Sequence, residues 1–223
     1  MIRFFDIAFS MLAIIFLSPV LIICYIILFL TGENEIFYLQ ERIGRNGKRF
    51  NLIKFVTMMK DSPNIGTGTL TVKNDPRILP IGHFLRKTKI NELTQLINIL
   101  KGDMSVIGPR PMTEQTFSLY PKHFHKDILS VKPGLSGVGS IIFRNEENIL
   151  NKDSNPLDFY ENTIAPYKGS VEEWFAKNKS LYLYFLLIFL TINAVLFPKS
   201  NLHWRILKNL PQSPSNLKDL LDT

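Results

Sequence analysis

The chain has almost no cysteine. Its one thiol, Cys24, sits inside an apolar run, so no internal disulfide braces the fold. Histidine is scarce too: there are 4, and His123 and His125 are two apart, which on a helix separates them widely, so they read as surface residues rather than metal ligands. No Gly-x-Gly-x-x-Gly, Walker or Ser-His-Asp order is present, which excludes the common dinucleotide, P-loop and triad chemistries. There is no internal repeat and no low-complexity tract. Acidic residues are in deficit, 19 against 26 Lys and Arg, giving a net charge of +7 and a pI near 9.4. That balance points to an anionic partner: phospholipid head groups, a nucleotide or nucleic acid. No basic-aromatic module supports nucleic acid, and a membrane-type segment argues against it.

What the chain does have is apolar residue, at 46 % with a mean hydropathy of +0.09, and it is segregated. At 223 residues one domain is the natural count. The run from Ile7 to Leu30 carries no charge and would reach about 36 Å as one straight helix, enough for a hydrocarbon core of about 30 Å. Ser18-Pro19 falls in its middle, and each half reaches only about 18 Å. A kinked spanning helix and a re-entrant helix-break-helix both fit. Arg42, Arg45, Lys48, Arg49, Lys54 and Lys60 crowd the downstream side and mark it as cytoplasmic. No small-residue cleavage site follows Leu30, so a signal peptide is not expected. A second uncharged run, Leu181 to Phe197, sits at the short edge of what spans a bilayer, or lies in the interface with Tyr182, Tyr184 and Lys199 as anchors. The tail from Pro198 reads as loosely ordered.

The middle of the chain carries the chemistry. Asn46-Gly47, between two alternating runs, predicts a β-hairpin, with Phe50, Leu52 and Lys54 on one face of its second strand. A lysine among such neighbours calls for an acidic or phosphate partner, unless it is simply exposed. Leu93, Leu96, Ile97 and Leu100 recur at i, i+3, i+4, i+7 and predict an apolar helical stripe. Asn91 reads as the N-cap of a helix beginning at Glu92, and Gly102 as its stop. That helix end would face Arg86, Lys87 and Lys89, and a positive dipole beside cations is a phosphate site. The same residues also allow a purely structural reading: a cap, a first-turn charge and a solvated basic face. The Gly108-Pro-Arg-Pro111 turn holds Arg110 between two prolines, which favours function. Asn74-Asp75-Pro-Arg77 is a turn by composition, and Lys132-Pro-Gly-Leu-Ser-Gly137 a Gly-rich turn whose backbone N–H groups would approach an anion.

These motifs, in this order, resemble those of the bacterial sugar transferases that are small monotopic phosphoglycosyl transferases. The matching pieces are Ser18-Pro19, Lys54-Phe-Val-Thr-Met58, Asp75-x-Arg77, Gly82-His-Phe-Leu-Arg86, Asn91-Glu92, Gly108-Pro-Arg-Pro111, Lys132-Pro-Gly-Leu-Ser-Gly137 and Arg144-Asn145. The likeness runs from Met1 to Asn145 and more loosely to Ser180. Where most of the family is basic this chain has Val56, and Tyr184 stands where an Asp is common.

The resemblance implies an α+β fold: a re-entrant membrane helix-break-helix (1–32) and a small cytoplasmic domain of amphipathic helices with a short β-hairpin (33–180); the last third departs from the family pattern, and its residues add an apolar or interfacial helix with its tail (181–223). The resemblance also implies transfer of a phospho-sugar from a UDP-sugar to undecaprenyl phosphate with release of UMP, using Mg²⁺, at the cytoplasmic face of a bacterial inner membrane. Such a step starts surface glycoconjugates such as lipopolysaccharide. Expected partners are the UDP-sugar, undecaprenyl phosphate, membrane lipids and, allowed by the resemblance, a second copy as a homodimer, with no nucleic acid.

Carried over by position, Lys54, Arg86 and Arg110 contact phosphate or nucleotide. Pro111, Lys132, Arg144, Asn145, Asp75 and Arg77 join the substrate site, and Glu92 is the metal ligand. Asn91 occupies the position of the family's nucleophilic Asp. An amide is a poor nucleophile, which leaves an inactive variant, a different carboxylate (Glu92 or Asp103), or direct attack by the lipid phosphate. The alternative reading is a non-catalytic, membrane-bound binder of sugar nucleotide or lipid phosphate. Glu172 and Glu173 lie near a position that is usually acidic in the family.

Overall fold

The computed structural model describes residues 1–31, 35–60, 62, 75–150 and 155–221. Asn74, the first residue of the predicted turn, lies outside them. The fold is helix-rich with two small sheets and one long apolar N-terminal helix. It forms two compact units, each assembled from separate stretches: Met1–Asp6, Arg42–Phe50 and Gly102–Thr223 in the first, Ile7–Glu41 and Asn51–Lys101 in the second.

Helix α1 (Ile2–Thr31) is long and apolar enough to cross a membrane, and only 11 % of its most apolar window is buried. Pro19 lies inside it. Proline has no N–H for the carbonyl four residues back, which here belongs to Ile15. The Ser18 hydroxyl donates to that carbonyl at 2.8 Å, so helical structure passes through the proline with its orphaned acceptor satisfied. In the second unit Cys24 and Leu28 of α1 bury with Phe55 and Leu85.

Strands β1 (Phe37–Ile43) and β2 (Arg49–Phe55) form the predicted hairpin. Asn46 and Gly47 both adopt left-handed backbone, φ 58° and 75°, as a tight right-twisting turn requires. Within the second unit, side chains supply bonds that a third strand would otherwise make. Asn98 accepts from Ile53 N–H at 3.0 Å and donates to Asn51 O at 2.8 Å, and the Thr94 hydroxyl donates to Ile53 O at 2.8 Å. Helix α2 (Pro80–Thr88) rests on the chain after β2, where a Cβ at Gly82 would collide with the Thr57 carbonyl.

Helix α3 spans Gln95–Lys101 and stops at Gly102, φ 96°, as predicted. Its buried face is not the expected stripe: Gln95, Leu96, Asn98 and Ile99 are buried, while Ile97 is exposed. Asn98 turns inward because its amide pairs with strand backbone, and this rotates the apolar count off its periodic face.

In the first unit β3 (Ser105–Ile107) pairs in parallel with β4 (Gly134–Ser136), Ser105 opposite Gly134 and Ile107 opposite Ser136. The Gly-rich segment is therefore strand, not an anion-binding turn. Its N–H bonds are committed to carbonyls, Gly134 N to Pro109 O at 2.8 Å and, across the pair, Gly108 N to Ser136 O at 2.9 Å. A Cβ at Gly134 or Gly137 would strike the Gly108 backbone, so the glycines serve close approach.

Short helices α4 (Glu114–Ser118), α5 (Lys122–Ser130), α6 (Val138–Ile142), α7 (Glu146–Leu150) and α8 (Pro156–Phe159) surround this pair. A π turn, Tyr160–Ile164, leads into α9 (Ala165–Asn178), which packs on α5 and α6. Helix α10 (Leu181–Leu196) is capped by Ser180, whose hydroxyl accepts from Leu183 N–H at 3.1 Å. Leu183, Tyr184, Leu187 and Leu190 bury one face against β3, β4 and α6, while Tyr182, Phe189, Ile192 and Val195 leave an apolar face exposed. The tail does not match its expectation of loose order. It forms α11 (Leu202–Ile206) and α12 (Ser215–Leu221), because Leu207 and Leu217 find buried seats and Tyr167 donates to Pro211 O.

Removing the Asn98 side chain should expose the role of these substitute bonds. Asn98→Ala is expected to cost about 2–3 kcal/mol in denaturant unfolding, since Ile53 N–H is left buried and unpaired. Ile97→Ala, on the exposed side of the same helix, should cost under about 1 kcal/mol.

Candidate functional site

The predicted site residues fall into two sets, one in each unit. In the second unit Lys54 (β2) and Glu92 approach to 3.9 Å, each about four-fifths buried. The lysine on the hairpin thus meets an acidic partner, and Asn91 lies next to that carboxylate in sequence. Asn91 is buried, and its Oδ1 has no hydrogen-bond partner.

The predicted cap is not formed. Lys89 takes left-handed backbone, φ 61°, and the chain then tightens into a 3-10 turn, Ile90–Glu92. Glu92 N–H is bonded to Lys89 O at 3.0 Å and Leu93 N–H to Ile90 O at 3.1 Å, so there is no open helix end at Asn91 for a cap or for a phosphate. The helix proper starts only at Gln95. What the turn does provide is a buried amide oxygen without a hydrogen-bond partner, next in sequence to the carboxylate that meets Lys54. Buried polar atoms are paired in most proteins, so an orphan of this kind singles the position out.

Arg86 lies half-buried in the last turn of α2, two positions from Thr88, whose hydroxyl donates back to Phe84 O at 2.8 Å. Asp75 and Arg77 are brought together but turned inward. Arg77 Nε donates to Asp75 Oδ1 at 2.8 Å and Nη2 to Oδ2 at 2.6 Å, while Nη1 donates to Ser62 O at 2.6 Å. Both are nearly inaccessible, so this bidentate pair braces its loop instead of facing a substrate.

In the first unit, Arg110 has an exposed side chain between buried Pro109 and Pro111. Its turn is held from three directions. Gly108 N–H donates to Ser136 O, Arg42 Nη1 donates to Pro111 O at 3.2 Å, and Arg110 N–H donates to Glu172 Oε1 at 3.3 Å. Lys132 is half-buried; burial above all, and then the Arg3 guanidinium, push its ammonium pKa down. Asp103, one of the alternative carboxylates, acts on the same lysine. Arg144 and Asn145 are exposed and line a cleft of about 210 Å³ with Lys199, Ser200, Asn201 and His203.

Two arrangements were not assigned from the residue pattern. Asp6, buried near the start of α1, accepts from Ser105 Oγ, Val106 N–H and Tyr184 OH, each at 2.9 Å. Behind Arg110 lies a second buried group in which Lys168 bridges both oxygens of Glu146 at 2.8 Å. The only sequence signal for it was the acidic pair Glu172-Glu173.

For Mg²⁺, no group of three or more His, Cys, Asp or Glu side chains converges among the described residues. Mg²⁺ commonly takes one or two carboxylates plus substrate phosphate and keeps its waters. Glu92 fits that role as a single carboxylate.

Comparison with known proteins agrees with these motifs. The sequence profile of the bacterial sugar transferases matches residues 1–198. An uncharacterized sugar transferase of Haemophilus influenzae is 36 % identical over 208 residues, covering 87 % of this chain and 40 % of that protein. The exopolysaccharide production protein ExoY of Sinorhizobium fredii is 32 % identical, covering 86 % and 84 %. The undecaprenyl-phosphate galactose phosphotransferase of Salmonella typhimurium is 31 % identical, covering 87 % and 40 %. The chain thus spans two fifths of the length of the first and last of these relatives.

The Lys54–Glu92 pair is partly open and long, so its coupling should be small. A double-mutant cycle with Lys54→Met and Glu92→Gln is expected to give under about 1 kcal/mol in urea unfolding. A coupling of about 3 kcal/mol or more would make the pair a structural bridge, not groups held ready for a ligand.

Proposed function

The chain belongs to the bacterial sugar transferase family, and on that footing we propose that it moves a phospho-sugar from a UDP-sugar to undecaprenyl phosphate. An oxygen of the lipid phosphate forms a bond to the β-phosphorus of the donor, the bond from that phosphorus to the bridging oxygen breaks, and UMP leaves. The observation that carries this reading is the Lys54–Glu92 pair, with the buried, unpaired Asn91 amide oxygen on the neighbouring residue in sequence, at the position of the family's dyad. Lys54 and Arg86 in the second unit, and Arg110 in the first, each carry positive charge suited to phosphate oxygens. Glu92 would hold a Mg²⁺ carried in on the diphosphate, and that ion would offset phosphate charge. The Asn91 amide orients the donor by hydrogen bonding but does not attack phosphorus, so the lipid phosphate attacks directly. The second reading, a non-catalytic binder of sugar nucleotide or lipid phosphate, draws on the same amide.

We place the protein at the cytoplasmic face of a bacterial inner membrane, with α1 re-entrant and the open face of α10 in the interface. Met1–Asp6 and Arg42–Phe50 belong to one compact unit, which favours both flanks of the apolar segment lying on the same side. Such a path would turn at Pro19, in the middle of the run, and Arg3 with the downstream cations would keep both ends out of lipid.

Two results test these readings. In a Cys24→Ala background, single cysteines placed before Arg3 and after Thr31 should be labelled only from the cytoplasmic side. Labelling of one of them from outside would mean a true span, and Pro19→Ala should shift the segment in that direction.

Asn91→Asp, nearly isosteric, should raise UMP release at least about 100-fold by restoring a nucleophile and should allow a phospho-sugar adduct to be trapped by mass spectrometry. Glu92→Gln should abolish turnover in either background, and a chelator should do the same. Binding of UDP-sugar without turnover by either form at position 91 would establish the binder.

A further inference from the structure

The three-residue run Pro109-Arg110-Pro111 contains one backbone N–H, because proline has none. That N–H belongs to Arg110 and is given to Oε1 of Glu172 on α9. Glu172 is 1 % exposed, and its second oxygen, Oε2, is buried without a hydrogen-bond partner. Gly139 of α6 leaves the space the carboxylate occupies; a Cβ there would overlap it. The natural counter-ion would be Lys168, one turn earlier on α9. Its ammonium is instead bonded to both oxygens of Glu146 and sits 5.3 Å from the centre of the Phe143 ring. The other groups facing the carboxylate are the Arg110 guanidinium and the Tyr120 hydroxyl, which lies beside Tyr160 of the π turn. Tyr120 and Tyr160 are themselves pushed upward, first by burial, and so stay neutral.

A buried carboxylate in this setting is poised between two states. Charged, it makes a charge-assisted bond to Arg110 N–H. Protonated, it makes a weaker one. We propose that Glu172 is a positioning residue for Arg110: its ionised carboxylate fixes the backbone of the Gly108–Pro111 turn, and protonation loosens that turn and weakens donor-phosphate binding. This rests on the reading of Arg110 as a phosphate contact. The operating range is near neutral, because burial raises the Glu172 carboxyl from 4.5 to about 7, against the lowering effects of the Arg110 N–H, Lys168 and the Arg110 side chain. The sign for stability is the reverse of the usual carboxylate case. The folded protein holds the proton more tightly than the unfolded chain, so this group's contribution is greatest below about pH 4.5 and declines as pH rises through about 7.

The test uses the full chain in lipid nanodiscs. Carboxyl-¹³C-labelled glutamate reports Glu172, identified by its loss in Glu172→Gln, and the ¹⁵N–¹H resonance reports the Arg110 amide, both from pH 5.5 to 8.5. The two should move together with one midpoint near pH 7, and the Arg110 amide should be flat in Glu172→Gln. In parallel, the KM for a UDP-sugar, whose diphosphate keeps constant charge over this range, should rise roughly fivefold from pH 8 to pH 6 with little change in kcat. In Glu172→Gln it should hold the higher value at every pH. An Arg110 amide that stays flat from pH 5.5 to 8.5, which needs no variant to read, or a Glu172 midpoint below pH 5.5, overturns the proposal. Coupled resonances in a protein that neither binds nor turns over UDP-sugar, with Asn or Asp at position 91, would leave the Glu172 device standing and sink the transferase reading instead.

Discussion

A buried carboxylate must be surrounded by donors, and Asp6 sets that condition for the first unit. Its Oδ1 gathers a hydroxyl and an N–H from β3 and the phenol of Tyr184 on α10. None of these three elements could shift without leaving a charge unpaired in the interior, a cost of several kcal/mol. The start of an otherwise lipid-like helix is thereby tied to residues about 100 and 178 positions away. Phe5 adds an edge-on contact with Phe185, 4.9 Å between ring centres. Gly108 after β3, with Gly134 and Gly137 in and after β4, then let the backbones approach closely enough to fix the turn that carries Arg110.

A common device recurs through the molecule: a side chain completes a hydrogen bond that the backbone cannot. Thr94 and Asn98 serve β2, which has a single strand partner. Ser18 serves the carbonyl orphaned by Pro19. Glu172 serves the lone N–H between two prolines. In each case regular secondary structure is interrupted for a reason of shape, and a short polar side chain makes the interruption stable.

The same device explains where the sequence was legible and where it was not. Asn46-Gly47 specified its hairpin because only a few residue types tolerate left-handed backbone, and Gly102 ended α3 for the same reason. The stripe through Ile97 misled because a buried amide looks polar in sequence however well it is paired. Asn91 looked like a cap because the left-handed turn at Lys89, which uses up the local N–H groups, leaves no signature in a lysine. Gly134 and Gly137 look the same whether they cradle an anion or admit a neighbouring strand. The tail's short apolar anchors, Leu207 and Leu217, were too sparse to show a period. At the candidate site, the strand position of Lys54 left an acidic partner, a phosphate or plain exposure open, and nothing local pointed to Glu92 as what it meets. The inward Asp75–Arg77 brace was not legible either, since a motif fixes identity and not direction.

The Ser18 hydroxyl has one more effect. A proline bend inside hydrocarbon normally leaves a carbonyl that recruits water from the nearer interface. Here that acceptor is already occupied by a neighbour three residues along. In hydrocarbon a carbonyl so occupied would offer water no foothold, so the apolar surface of the helix would continue unbroken past its proline.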